Sequence, residues 1–259
     1  KFRPVNNDFT TISKEDLAQA YAELEQEIML IRPNVLVLLG NEPMRAVLGH
    51  AGITDYRGSV LETRFGIKAI PTIHPAAISR EWTYRPLSVL DWKKVKKESE
   101  YAEIKRTVRD IVINPGYSAV IAYLDSCIDD KSPVAFDIET ETHQICSIAF
   151  STSETHSLCV PFWFGSSGSL WSEEQEVVIW GKIKELLETT SVPKYAQNAQ
   201  YDMTILKNQH GIGVKGLLLD TMLGWHSVYP ELPKSLALLT SVYTDIPFYK
   251  NKRTTKDMD

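Results

Sequence analysis

Cysteine is scarce in this chain of 259 residues, which holds only Cys127, Cys146 and Cys159. No two of them have CxxC spacing. That excludes a zinc knuckle or a disulfide framework, fits a reducing compartment, and leaves the thiols as small buried hydrophobes. Long apolar runs are lacking as well. None approaches the roughly 18 residues of a membrane span, so no membrane partner is expected. The opening KFRPVNNDF has neither an initiator Met nor a signal-peptide core, which predicts a cytoplasmic fragment of a longer polypeptide. Internal repeats and low-complexity segments are absent. A basic excess is missing too: the formal net charge is -5, and nucleic-acid binders usually carry a basic footprint. Local cations remain, at Arg80, Arg85, Lys93, Lys94, Lys96 and Lys97 and again at Lys250, Lys252, Arg253 and Lys256. A run such as KKVKK more often marks a solvated helix face than a phosphate clamp.

What is present is ordinary globular material, 43% hydrophobic and 24% charged, enough for one large or two modest domains. SKEDLAQAYAELEQEIMLIRP reads as a helix capped by Ser13 with Asp16 three residues on. Its stripe is Leu17, Tyr21, Leu24, Ile28 and Ile31, and Pro33 stops it. NVLVLLG follows as a strand buried on both faces, and Asn41 caps the next helix, with Pro43 in its first turn. This is an α/β unit, and such sheets bind ligands at the carboxyl ends of their strands. IKAIPTIHP is a second strand. From Leu87 to Asp110 the pattern predicts one long charged helix connecting two domains. After Asn114-Pro115-Gly116 the pattern resets: VAFDIET, ICSIAF and HSLCVPFW form a meander, a helix starts at Ser172 with Gln175 in a capping box, and the rest reads as largely helical.

VAFDIETE places Asp137, Glu139 and Glu141 on alternate positions of a core strand, hence on one face. Three carboxylates there would repel one another and lose hydration. Asp137 and Glu139 make chemical sense if they share divalent cations, which activate a water and stabilise the leaving oxygen of a phosphodiester. Carboxylates suit Mg²⁺ or Mn²⁺. NAQYDMTIL supplies a third acid, Asp202, preceded by Tyr201 and with Asn198 four residues upstream on the same helical face. A lone D-x-E pair is common on exposed strands, whereas its conjunction with N-x-x-Y-D some sixty residues later is far more specific.

At these residues the chain resembles a known family. VAFDIET and KYAQNAQYDMTIL are similar to the first two motifs of DnaQ-like (DEDD) 3′-to-5′ exonucleases. LLLDTML and LPKSLALLTSVYTDIPFYK resemble the proofreading domain of phage family-A DNA polymerases, so the likeness runs from about Pro115 onward. It implies an RNase H-like domain with a mixed sheet, in which Asp137, Glu139 and Asp202 are catalytic and bind the metals. It implies that Asn198 and Tyr201 meet the substrate, a single-stranded or frayed DNA 3′ end, and that a polymerase domain lies C-terminal. Asp220 looks structural, as a helix cap or buried acceptor; Glu141 is merely solvated at the strand end, and His143 and His156 are surface residues. The family's fourth acid, in a Y-x-x-x-D or H-x-x-x-D pattern, has no match after Tyr249. Asp257 and Asp259 have no Tyr or His four residues upstream, so activity is expected to need residues further on.

The segment from FRPVNNDFT through RGSV to IPTIHPAAISR resembles the second half of uracil-DNA glycosylases, particularly the thermophile-type families. That likeness implies a partial parallel-sheet α/β domain in which His74 sits over a flipped base, Ser79 and Arg80 lie near the DNA strand, and Arg57-Gly58 forms a backbone turn. A lone His before Pro is as readily a plain loop residue. The family's cluster cysteines are replaced here, by Phe2 and around Ala20-Tyr21, so no iron–sulfur cluster and no uracil excision are expected. The expected division is 1–92 glycosylase-like, 93–112 connecting helix and linker, and 113–259 exonuclease. Two rivals stand beside the proofreading exonuclease: an RNase D-like RNA exonuclease with the same carboxylates, and a non-catalytic DNA-binding module with an incomplete site.

Overall fold

A computed structural model describes residues 12–163 and 168–249. Phe2, the cations at Lys250, Lys252, Arg253 and Lys256, and Asp257 and Asp259 lie outside the described residues. The described chain divides into two compact units. One comprises residues up to Arg106 together with those from Ala237 onward; the other is Thr107–Leu236.

The first unit is built on a three-stranded sheet in the order β1-β3-β2, with β1 at Val35–Leu39, β2 at Leu61–Glu62 and β3 at Lys68–Thr72. β1 and β3 run parallel, as an α/β unit requires, and the two-residue β2 is antiparallel to β3. The sheet side chains alternate, so Ala69 faces one layer and Ile70 the other. On one side Ala69 and Leu38 pack with Ile28 of α1 (Lys14–Ile31) and with Met44 and Val47 of α2 (Asn41–Leu48). On the other, Ile70 packs with Val60 and with Val95 of α5 (Tyr84–Glu98). Between them lie the short α3 (Ile53–Tyr56) and α4 (Pro75–Arg80).

Several sequence expectations change here for physical reasons. Ser13 does cap α1, accepting from the Asp16 amide at 3.0 Å, but Ile31 is 71% exposed and outside the stripe. β1 is an edge strand and only Leu38 in it is buried; the doubly buried strand is β3. Asn41 does not cap its own helix: Gly40 does, and the Asn41 Oδ1 accepts from the amides of Gly52 and Ile53, at the start of α3.

The charged helix ends at Glu98, and residues 99–109 are not helical. α5 is therefore not a solvated connector to residue 110. Its acids turn inward. Asp91 receives a bidentate ion pair from buried Arg57 (Nε to Oδ2 at 2.9 Å, Nη2 to Oδ1) and the Thr72 hydroxyl at 2.8 Å. Glu98 pairs with buried Lys68 at 2.8 Å. Lys94 donates to the carbonyls of Gly58, Ser241 and Thr244 at 2.9, 2.5 and 3.0 Å. These last bonds draw the segment around α10 (Leu236–Tyr243) into the first unit, although its sequence motif points to the exonuclease. Desolvation raises the Asp91 pKa in spite of Arg57 and lowers that of Lys94. Burial thus costs these charges more than their partners return, as is usual for interior ion pairs.

The second unit has a six-stranded mixed sheet, β4-β7-β6-β5-β8-β9. β4 is Asp110–Val112, β5 Val134–Glu141, β6 Gln144–Ser151, β7 His156–Pro161, β8 Lys194–Ala196 and β9 Leu217–Asp220. β5, β6 and β7 form the expected antiparallel meander, while β4, β8 and β9 pair in parallel. One face carries the core: Val134, Phe136 and Ile138 of β5 and Ile148 and Phe150 of β6 pack with α6 (Tyr117–Asp130) and α7 (Glu173–Glu188). The Ser172–Gln175 capping box forms as expected. The remainder is largely helical as expected, with β8 and β9 added to it as strands too short to show period-2 alternation. All three cysteines are free; Cys127 is buried, Cys146 and Cys159 half-buried.

Gly58, at φ +71°, has no room for a side chain, because a Cβ would lie 2.7 Å from Asp91 Oδ1. Arg57→Ala, which strands the buried Asp91 carboxylate, is expected to lower unfolding free energy by about 3–5 kcal/mol. Gly58→Ala combines a left-handed backbone with a clash and is expected to cost at least ~2 kcal/mol. Urea unfolding measures both, and losses below about 1 kcal/mol would show that this buried network does not anchor the unit.

Candidate active site

The face of β5 opposite the core carries Asp137 and Glu139, both exposed, while their neighbours Phe136 and Ile138 are buried. Alternation along the strand puts both acids there. It stops at Glu139, where the pairing with β6 shifts register. Glu141 pairs with Gln144 at the end of the strand and takes no part in the electrostatics of Asp137. Thr142 and His143 turn the chain, both with positive φ. A two-residue hairpin loop needs such φ values, but Gly or Asn normally supplies them. Helix α8 (Ala199–His210) holds the strained loop: the Gln209 amide donates to the His143 carbonyl, and Gln209 Oε1 accepts from the Ile145 amide at 3.2 Å.

Asp202 enters from the first turn of α8. It is 4% exposed, and its Oδ1 accepts from the Ile138 amide at 2.9 Å. The third carboxylate therefore sits against β5 at the residue between Asp137 and Glu139. Tyr201, one position earlier, is exposed, and its hydroxyl lies 2.9 Å from that of Thr140. Asn198 does not share a helical face with Asp202, as the spacing predicted. It precedes the helix in a left-handed conformation, φ 58°, and makes no side-chain cap.

The cap comes from Asp220, expected from the sequence to be a helix cap or a buried acceptor and serving as both. It is 7% exposed and precedes α9 (Thr221–Val228). Its Oδ1 accepts from the Met222 amide at 2.8 Å and from that of Asn198 at 3.1 Å, and its Oδ2 accepts from Ala199 at 2.8 Å. One carboxylate thus satisfies amides at two helix starts, where it also meets the positive ends of both dipoles. The sequence carried no signal for Thr140 and Gln209, whose roles arise only across elements.

Desolvation, then Asp202, then Glu139 push the Asp137 carboxyl up to about 6. Desolvation also raises Asp202, with Asp220 and Glu139 adding to it and the Ile138 amide opposing. Among the described residues no three His, Cys, Asp or Glu side chains are gathered into a ready metal cage. The donor chemistry nevertheless fits hard divalent cations: carboxylate oxygens, clustered on a rigid strand and helix, with negative charge in excess. His74 and Arg80 belong to the first unit. The His74 Nδ1 accepts from the Ala76 amide at 3.0 Å and so caps α4, and Arg80 ends that helix, exposed. His143 and His156 are at the surface, the latter 3.1 Å from Asp110 Oδ2. No described helix is long and apolar enough to cross a membrane.

Residues 118–257 match a family described as 3′-5′ exonuclease, and residues 1–102 match the uracil DNA glycosylase superfamily. DNA polymerase I of Pseudomonas aeruginosa is 26% identical over 174 residues, which cover 60% of this chain and 18% of that protein. The chain thus spans less than a fifth of that relative. Among solved structures, Escherichia coli RNase D shares 17% identity at a TM-score of 0.40, over 57% of this chain and 36% of that one. The Aedes aegypti Nibbler EXO domain shares 13% at 0.45, over 58% and 77%.

A carboxyl whose native pKa lies near 6, against about 4 in the unfolded chain, binds more protons when folded. Its contribution to stability therefore falls as pH rises from about 4 to about 6 and stays unfavourable above that. In chelator, Asp137→Asn is expected to raise the melting temperature at pH 8 and to give no gain at pH 4. Mn²⁺ should then raise the melting temperature of the parent more than that of the variant. Differential scanning calorimetry reads both; a variant less stable than the parent at pH 8 would contradict the charge crowding.

Proposed function

The chain belongs to the 3′-5′ exonuclease family, and from that premise we propose that its second unit removes 3′-terminal nucleotides from DNA as the proofreading part of a phage-type family-A polymerase. The observation that carries the reading is the Asp202–Ile138 hydrogen bond, which sets a third acid beside Asp137 and Glu139. DNA as substrate is supported by the DNA polymerase I relative. The polymerase setting is supported by the order of the two matched regions, glycosylase-like before exonuclease.

In this reading Asp137, Glu139 and Asp202 hold Mg²⁺ or Mn²⁺. Such cations supply the positive charge that activates a water and stabilises the leaving 3′ oxygen. Asp202 has its Oδ1 engaged by the backbone, so Oδ2 is the atom left to serve a cation. Tyr201, exposed and tied to Thr140, presents a phenol to orient the scissile phosphate. Asn198, its backbone held by Asp220, offers an exposed amide to the terminal nucleotide. Desolvation is the first cause of the raised Asp137 carboxyl; the Asp202 and Glu139 charges that add to it are what a bound cation would offset.

The test is hydrolysis of a 5′-labelled single-stranded DNA and of the RNA of the same sequence by the full chain with Mn²⁺. Stepwise shortening from the 3′ end of DNA, with release of nucleoside monophosphates, is expected. Loss should exceed about 100-fold in Asp137→Ala, beyond what altering a merely supporting residue of a metal site costs. Activity unaffected by that substitution would overturn the assignment, and faster digestion of RNA would move the reading to an RNase D-like exoribonuclease.

A further inference from the structure

The outward face of α5 is unlike the rest of this acidic chain. Between Trp82 and Ser99 the only acids are Asp91 and Glu98, and both are buried against Arg57 and Lys68. Lys94 is turned inward onto three carbonyls. The remaining cations, Arg85, Lys93, Lys96 and Lys97, are all exposed, and none is ion-paired among the described residues. Two large rings lie among them in the open: Trp82 is 68% exposed and Trp92 46%.

The spacing turns this into a surface. At 100° per residue Arg85, Val89, Trp92 and Lys96 fall on one narrow stripe, with Lys93 beside it. The stripe is about 16 Å long at 1.5 Å per residue. Trp82 extends it beyond the start of the helix, where the Arg85 guanidinium lies 5.2 Å from its ring centre. The next acids along the chain are at the two ends: Glu81, which takes the Thr83 hydroxyl, and Glu100; Asp245 acts on the inward-turned Lys94. A solvated helix face explains exposed lysines, but not indoles left in water between them. Both indoles are exposed, Trp82 with the Arg85 guanidinium over its ring, and cations without ion pairs among the described residues flank them.

We propose that this stripe is a docking surface for single-stranded DNA, with bases stacking on Trp82 and Trp92 and phosphates held by Arg85, Lys93 and Lys96. Such alternation of flat apolar faces and positive charge suits an unpaired strand, whose bases are free to stack while its backbone stays outside. A duplex hides its base faces, and an acidic protein surface would leave the indoles without apolar partners. The site is independent of the carboxylates of the second unit, so it stands or falls apart from the exonuclease reading.

Fluorescence anisotropy of a labelled oligo-dT with the full chain, in chelator so that no hydrolysis intervenes, tests it. Trp82→Ala with Trp92→Ala should weaken binding at least about tenfold, since a base–aromatic stack is worth roughly 5- to 100-fold. Lys93→Glu with Lys96→Glu should weaken binding and flatten the slope of log affinity against log salt by about 1.4, at ~0.7 for each phosphate no longer neutralised. Lys14→Glu with Lys215→Glu, the same change of charge elsewhere, should leave affinity within about twofold. Equal losses in that control would reduce the effect to net charge and overturn the proposal. Tighter binding of duplex DNA, or of oligo-U than of oligo-dT, would overturn it as well.

Discussion

One hydrogen bond, from the Ile138 amide to the Asp202 carboxylate, joins the helix that bears the third acid to the strand that bears the first two. Everything else in the second unit's site serves that register. α8 is held at its start by Asp220, in its first turn by Asp202 and at its end by Gln209 gripping the β5–β6 turn. A rotation of α8 by one residue would move its side chains by about 100° and bring Tyr201 to the strand in place of Asp202. Three attachments along one short helix leave little freedom for that slip.

The two units differ in how their charges are grouped. In the first, each interior charge has its complement: Arg57 with Asp91, Lys68 with Glu98, Lys94 with three carbonyls. In the second, buried Lys194 is answered by the Thr189 carbonyl, but Asp137, Glu139 and Asp202 come together, and desolvation, with Asp202 and Glu139 adding to it, pushes the Asp137 carboxyl up to about 6. The first arrangement gives each interior charge a partner, which offsets part of the desolvation that Asp91 and Lys94 suffer. The second leaves the crowding standing, and carboxyls perturbed in this way cluster at functional sites. The apolar core of β5, β6, α6 and α7 offsets the cost from the other face of the same sheet.

Sorting of charge also explains how a chain of net charge -5 presents a basic helix face. In the sequence of α5, acids and lysines are interleaved. Folding buries Asp91 and Glu98, turns half-buried Lys94 inward, and leaves the other cations with two exposed indoles. Net charge summed over a sequence does not register this, because burial is decided by helical phase and not by composition.

Much of the site was legible in the sequence. The period-2 rhythm of VAFDIETE set Asp137 and Glu139 on one face, since the neighbours Phe136 and Ile138 had to face the core. Local chemistry likewise revealed the caps at Ser13 and Ser172, which depend on residues three apart. The sequence reading left Glu141 solvated at the strand end, but it could not say that the register breaks after Glu139, because that depends on the partner strand. Nor could it say that the cap of α8 comes from Asp220, some twenty residues on, or that Arg57 and Asp91 meet in the interior. Residues 87–110 read as one helix in the sequence because charge periodicity alone does not say where a helix finds its last buried partner. Sequence determined what is periodic and local, because side-chain direction follows from φ and ψ within one element. Tertiary structure alone decided which charges are paired in the interior and which carboxylates are brought together, because that depends on contacts between residues far apart in the chain.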